Sequence, residues 1–219
     1  MKEMTITSAE MLGSKAPEEP RRRGNRTTRV PEILEVSISV FATDGNAGFT
    51  QRRVASDAGV RLSTLQHYFG TRENLLRATM EAMTNRYLEL YRTLARDKLR
   101  SPEARLDAIV DETFAALTGP DTRVGAFTLE CWSLAEHEDF VRDLMAESTG
   151  DFQEILAGLV AKINPALTSA ECALRGALLL SNLQGLVVFI RRAGDNAPEL
   201  GAFRAAAKVV WKALSKAPQ

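Results

Sequence analysis

Apolar positions recur at helical spacing along almost the whole chain. Leu34, Ile38 and Phe41 fall at i, i+4 and i+7, with Ile33, Ser37 and Val40 beside them, which predicts a helix with a wide apolar stripe. Pro31 suits its first position, where a missing N–H is not needed, and "TDGNAG" (43–48) ends it, with Gly45 free to take positive φ. Thr50 is placed to cap a short helix over about 51–58. A second short helix is expected over about 62–69, and a long one over about 72–96. Ser101-Pro102 opens another, which closes before Gly119-Pro120. Further helices are expected at about 122–136, 138–163, 169–192 and 198–215, separated by breaks such as Asn164-Pro165 and "AGDNAP" (193–198). No alternating strand pattern lasts beyond a few residues, so the pattern predicts an all-α chain.

The two short helices carry the most specific spacing. Val54, Ala58, Val60, Leu65 and Phe69 can share a small core between crossing helices, Ala55 is small at their closest approach, and Gly59 stands where a tight turn needs positive φ. That is the pattern of a helix-turn-helix. Its second helix, "LSTLQHYF" (62–69), presents short polar side chains between Arg61 and Arg72. Such a helix enters the major groove with its N-terminal part first. Gln66 can pair with adenine, Ser63 and Thr64 can bond either base, Arg61 can read guanine or hold a phosphate, and Tyr68 can reach the backbone. The residues expected to face DNA are Thr50, Gln51, Arg52, Arg61, Leu62, Ser63, Thr64, Gln66, His67, Tyr68 and Arg72.

Charge supports a polyanion partner for the first half. The 219 residues are neutral overall, yet residues 1–100 hold 17 Lys/Arg against 12 Asp/Glu, and residues 101–219 hold 11 against 16. Residues 1 to about 25 read as a disordered segment, and "RRRGNRTTR" (21–29) is a basic arm that is either a solvated tail or a DNA contact. Apolar residues make up 45% and charged residues 26%, an ordinary globular balance in a chain long enough to bury a core without disulfides or metal. Cys131 and Cys172 lie far apart with no metal-ligand spacing, and are expected as reduced thiols. There is no Gly-rich phosphate loop, no GxSxG and no HExxH, and the two histidines, His67 and His137, assemble no catalytic set. We therefore expect neither an enzyme nor a cofactor. Residues 1–20 lack the apolar core of a secretory signal, and "GALLLSNLQGLVVFI" (176–190) is short for a span and carries polar groups. The expectation is a cytoplasmic protein with no membrane partner.

Over about residues 27–77 the chain resembles the TetR family of transcriptional regulators. The likeness rests on "FATDG", "FTQRRVASDAGV" and "STLQHYFGTRENLL". His67, Tyr68 and Phe69 match the family's recognition-helix ending, and Arg72-Glu73 stands for its lysine-glutamate pair. Arg61 replaces the usual serine, removing an N-cap oxygen that typically contributes about 1 kcal/mol, while Ser63 and Gln66 replace a glycine and a tyrosine. The resemblance implies about nine helices and a homodimer on a palindromic operator. It also implies a C-terminal domain in which a small effector lowers DNA affinity.

The expected organisation is thus a segment 1–25, an N-terminal three-helix DNA-binding domain over 26–75, and a ligand-binding and dimerisation domain over 76–219. Phe203, Ala207, Val210, Trp211 and Leu214 form a stripe that, with the apolar helix around 178–190, reads either as a dimer seam or as an internal core. A ligand site is expected among helices 102–190. Phe114, Leu117, Phe127, Trp132, Leu183 and Phe189 are its candidate walls, and Glu112, Thr113, Thr128, Asn182 and Gln184 its polar groups. Of these, Phe114, Phe127, Thr128, Trp132, Asn182 and Phe189 are the residues assigned to ligand binding. Helix 72–96 would carry a ligand signal to the recognition helices. Two other readings stay open: a helical ligand-binding or interaction protein without DNA binding, and activation in place of repression.

Overall fold

The computed structural model describes residues 26–119, 121 and 123–218. The expected disordered segment 1–25 lies outside the described residues. Those described form nine α-helices and one short 3-10 turn, Gly194–Asn196, with no strand among them. In chain order the helices are α1 Arg26–Gly48, α2 Gln51–Asp57, α3 Leu62–Phe69, α4 Arg72–Arg96, α5 Pro102–Thr118, α6 Arg123–Ala135, α7 Asp139–Ile163, α8 Ser169–Arg192 and α9 Leu200–Lys216.

Capping explains why most breaks fall where the sequence puts them. The hydroxyls of Thr50, Thr71, Ser101 and Thr168 each accept from the backbone N–H three residues on, filling one of the open donors at a helix start. α3 and α7 are exceptions: neither Arg61 nor Glu138 caps with its side chain. The first helix departs from expectation. It is already helical at Arg26, the first described residue, so Pro31 lies inside it rather than at its start. Arg29 pairs with Glu32 at 3.0 Å across Pro31. The expected stop survives as a break at Gly45, whose φ of 64° and ψ of −170° are non-helical.

Two apolar clusters fill the molecule. In the first, Ile33, Phe41, Phe49, Leu65, Leu75 and Met80 of the N-terminal helices pack with Phe127 and Cys131 of α6. The core therefore runs across residue 75, the boundary expected between domains. In the second, Tyr91, Leu106, Ile109, Leu156, Leu179 and Trp211 join α4, α5, α7, α8 and α9. α4 contributes to both, with Met80 and Met83 in the first, Tyr91 and Ala95 in the second, and Tyr87 packed against each. α7 and α8 cross closely at Gly176, where a Cβ would stand 2.9 Å from Ala157 and from the Gln153 carbonyl.

α8 is long and apolar enough to cross a bilayer by length and composition. In the fold it is a core helix of one chain. Arg175, only 3% exposed, donates to Glu171 and to the carbonyls of Leu214, Ala217 and Pro218 at the end of α9.

The expected association stripe divides between the two readings. Ala207 and Trp211 are buried, and Phe203 and Leu214 half-buried, all packed within their own chain. Val210 is exposed with Val209, and Leu174, Leu178, Val188 and Phe189 are exposed on α8. Phe203, Ala207, Trp211 and Leu214, at i, i+4, i+8 and i+11, are the face of α9 that meets its own core, and Val210 at i+7 falls outside it. The free apolar surface lies beside it.

Candidate nucleic-acid interface and ligand cavity

The helix-turn-helix is built from short-range bonds. Gly59, at φ 62°, turns the chain, and the Val60 N–H donates to the Ala55 carbonyl at 2.9 Å. Leu65 is the one fully buried side chain of α3, and Val54 and Ala55 are those of α2. Anchoring α3 by Leu65 turns Ser63, Gln66 and His67 outward at i, i+3 and i+4, and all three are exposed. Thr50, Arg52 and Arg61 are exposed, while Gln51, Leu62, Thr64 and Tyr68 are half-buried.

Gln51 ties the unit together: its amide donates to the Gly70 carbonyl at 2.8 Å, and the Gln66 amide donates to its oxygen at 3.4 Å. Gln66 is thereby held on the outer face with its carbonyl oxygen open. Tyr68 lies against the three-helix core, with its ring 6.5 Å from that of Phe69, so only part of it reaches outward.

The arginines divide sharply. Arg53 lies 2.8 Å from Asp44 and 2.7 Å from Asp57, and these acids raise its pKa, the hydrogen bond to Asp57 most. Arg72, expected at the DNA face, is exposed but already engaged. Its guanidinium donates to the Phe49 carbonyl at 2.8 Å and to both the backbone and side-chain oxygens of Asn46, and it lies over the Phe49 ring. It fastens the start of α4 to the loop between α1 and α2. Arg52 and Arg61 make no such bonds among the described residues, so their charge faces solvent.

Between α4, α5, α6, α7 and α8 lies a cavity of about 140 Å³. Of the residues assigned to ligand binding, Phe127, Thr128 and Trp132 line it, as do Thr113, Leu117, Leu183 and Gln184 of the wider set. Phe114, Asn182 and Phe189 do not. Phe114 and Phe189 each pack edge-on against Phe203, and Asn182 accepts from the Trp211 indole at 2.6 Å. Glu112 is also outside the lining, whereas Tyr87, Tyr91, Met145, Thr149 and Phe152 form walls that the sequence reading did not assign. Their helical stripes mark them as inward-facing but not as facing a void.

The ionisable groups of the lining stay neutral. Burial pushes the Tyr91 phenol up to about 12, against a lowering by its 2.6 Å hydrogen bond with Thr113. Burial likewise raises the Tyr87 phenol and the Cys131 thiol. Both cysteines are free and buried. No cluster able to hold a metal ion occurs among the described residues.

α6 joins cavity and DNA unit. Phe127 lines the cavity and meets the Phe41 ring of α1 edge-on at 5.1 Å. One turn along, Glu130 accepts from the Asn46 N–H at 2.6 Å, beside the Gly45 break.

Comparison with known proteins places these features. A family model described as bacterial regulatory proteins, tetR family, matches residues 33–79, and one described as BetI-type transcriptional repressor, C-terminal, matches residues 102–210. The HTH-type transcriptional regulator BetI of Burkholderia thailandensis is 28% identical over 167 residues, covering 73% of this chain and 82% of its own. That of Paraburkholderia phymatum is 29% identical over 178 residues, covering 78% and 86%. The fold matches the crystal structure of a putative transcriptional regulator from Pseudomonas aeruginosa, with a TM-score of 0.73 at 20% identity over 86% of this chain and 90% of that one. These relatives are DNA-binding regulators, not enzymes. The chain belongs to the TetR family of transcriptional regulators.

Proposed function

We propose that this regulator is a repressor that acts in the cytoplasm as a homodimer. It places α3 of each protomer in successive major grooves of a palindromic operator, and a small molecule in the cavity releases it. The observation that carries this reading is the outward row Ser63, Gln66 and His67 on a helix pinned by Leu65, with Arg52 and Arg61 unengaged beside it. One such helix reads few base pairs, and a two-fold pair supplies the rest. The exposed apolar side chains of α8 and α9 offer the seam: Leu174 and Val209 are 56% and 64% exposed. The test is a mobility shift on the DNA flanking the gene, together with light scattering for the mass in solution. A monomer, or a protein that shifts no flanking DNA even at low salt, would refute the proposal.

Base reading by Gln66 has its own expected result. Gln66→Ala should change preference at one or two base pairs, by about 1–3 kcal/mol each, and leave the other operator positions alone. Tyr68→Ala should weaken all operator variants alike. A uniform loss from Gln66→Ala would assign that residue to positioning.

The route from cavity to DNA is read through α6. A ligand that displaces Phe127 also moves Glu130, and with it the loop at Asn46 that Arg72 grips. Allosteric couplings typically amount to about 5–150-fold in affinity. Glu130→Ala is expected to keep effector binding, measured by calorimetry, while most of the effector's influence on operator affinity disappears. Full release in this variant would place the coupling elsewhere.

A further inference from the structure

The cavity's lining defines a ligand class more narrowly than its position does. None of its lining residues is Asp, Glu, Lys, Arg or His. The hydroxyls of Thr113, Thr128, Ser148 and Thr149 donate back to carbonyls of their own helices at 2.7–3.0 Å, which leaves mainly carbon facing the void. The lining groups without a side-chain hydrogen bond among the described residues are the Thr84 hydroxyl, the Tyr87 phenol, the Cys131 thiol, the Trp132 indole and the Gln184 amide. A wider depression continues past Trp132, Met145, Thr149 and Gln184 and adds Arg142, whose guanidinium already pairs with Asp139 at 2.6 Å.

We propose that the chamber takes a compact, uncharged, mainly apolar molecule: a single-ring compound bearing one hydrogen-bonding group, such as a phenol or a cyclic ketone. The proposal rests on the reading of this chain as an effector-released regulator. A volume of about 140 Å³ is close to that of apolar protein cavities that hold benzene. A carboxylate placed there would lose its hydration and meet no cation. A quaternary ammonium would meet the rings of Tyr87, Tyr91, Phe127, Trp132 and Phe152 but no carboxylate. Cation–π contacts alone would then have to offset the larger desolvation of an ion, and this is the strongest rival class. A neutral ring with a hydroxyl or carbonyl loses little water and meets Tyr87, Trp132 or Gln184, groups with hydrogen-bonding capacity in hand.

The test uses the full chain without DNA and three single-ring probes at neutral pH: 4-ethylphenol, 4-methylbenzoate and benzyltrimethylammonium. Calorimetry is expected to show 4-ethylphenol binding at least about tenfold tighter than either charged probe. Trp132 emission should change on binding, and Trp132→Phe should remove that change. Ala116→Leu, which fills the chamber, should reduce binding by a similar factor. Gln184→Leu, a milder change, should weaken 4-ethylphenol relative to toluene. Equal or tighter binding of a charged probe overturns the proposal, as does no binding of 4-ethylphenol at millimolar concentration. Release of DNA by a charged probe and not by the phenol overturns the ligand class and leaves the regulator reading intact. Phenol binding by a protein that binds no DNA at any salt concentration supports the class and removes that reading.

Discussion

Raising salt from about 50 to about 200 mM is expected to lower operator affinity by roughly 10³. The figure follows from counting the cations that remain available. Among the described arginines of α1 to α3 and the first two turns of α4, Arg29 is paired with Glu32, Arg53 with two aspartates, Arg72 with backbone and side-chain oxygens, and Arg77 lies 3.8 Å from Glu73 and over the Phe140 ring. Arg26, Arg52 and Arg61 are exposed and have no such partner. Two protomers then supply about six cations, and each phosphate neutralised contributes a slope of about −0.9 in log affinity against log salt. Arg52→Ala removes one cation per protomer, so the slope of the dimer should flatten by roughly 2. Arg72→Ala is the informative contrast. It should weaken binding by loosening the α4 anchor, yet leave the slope nearly unchanged. Fluorescence anisotropy with a labelled operator, titrated at several salt concentrations, separates the two. A slope that Arg52→Ala does not alter would mean that α2 does not meet the backbone.

That contrast shows what a sequence can and cannot reveal here. Arg52, Arg53, Arg61 and Arg72 look alike as basic residues around a helix-turn-helix; Asp57 is a local i,i+4 partner for Arg53, but Asp44, and the Asn46 and Phe49 oxygens that hold Arg72, lie across turns. Helix limits were legible because they are local: Thr50 and Ser101 cap, and Gly59 turns, through bonds spanning a few residues. The place of Pro31 was not, because a proline that suits a first helical position does not exclude helix before it. Cavity residues were legible only by helix. Thr113 and Leu117 line the void while Phe114, between them, turns to Phe203, a matter of helix rotation that only packing decides. Asn182 looked like a free polar group because the indole that claims it lies 29 residues away on α9.

The same limit hid Arg175, whose replacement is expected to have the largest effect on stability. Nothing in "ECALRGALLL" marks it as more than a surface charge on an apolar helix. In the fold its guanidinium is almost wholly enclosed, paired with Glu171 at 2.8 Å and donating to three carbonyls at the C-terminal end of α9, where unpaired carbonyls and the helix dipole favour a cation. Arg175→Met keeps much of the volume and leaves these acceptors without a donor. Breaking a buried ion pair from one side costs about 3–5 kcal/mol. Glu171 is 23% exposed and can recover some hydration, so the lower end applies. For a chain of this size that corresponds to a fall in Tm of roughly 6–12 °C. Arg175→Lys keeps the charge but not the planar fork, and should fall between. Arg142→Ala, at an ion pair with Asp139 that is open to solvent, should cost less than about 1 kcal/mol. Because Arg175 joins the two helices whose outer faces form the proposed dimer seam, its loss should also shift the monomer–dimer midpoint expected on that proposal to higher protein concentration, read by sedimentation. Melting of Arg175→Met within about 2 °C of the parent would mean that water replaces the guanidinium at the end of α9, and that packing alone holds α8 against α9.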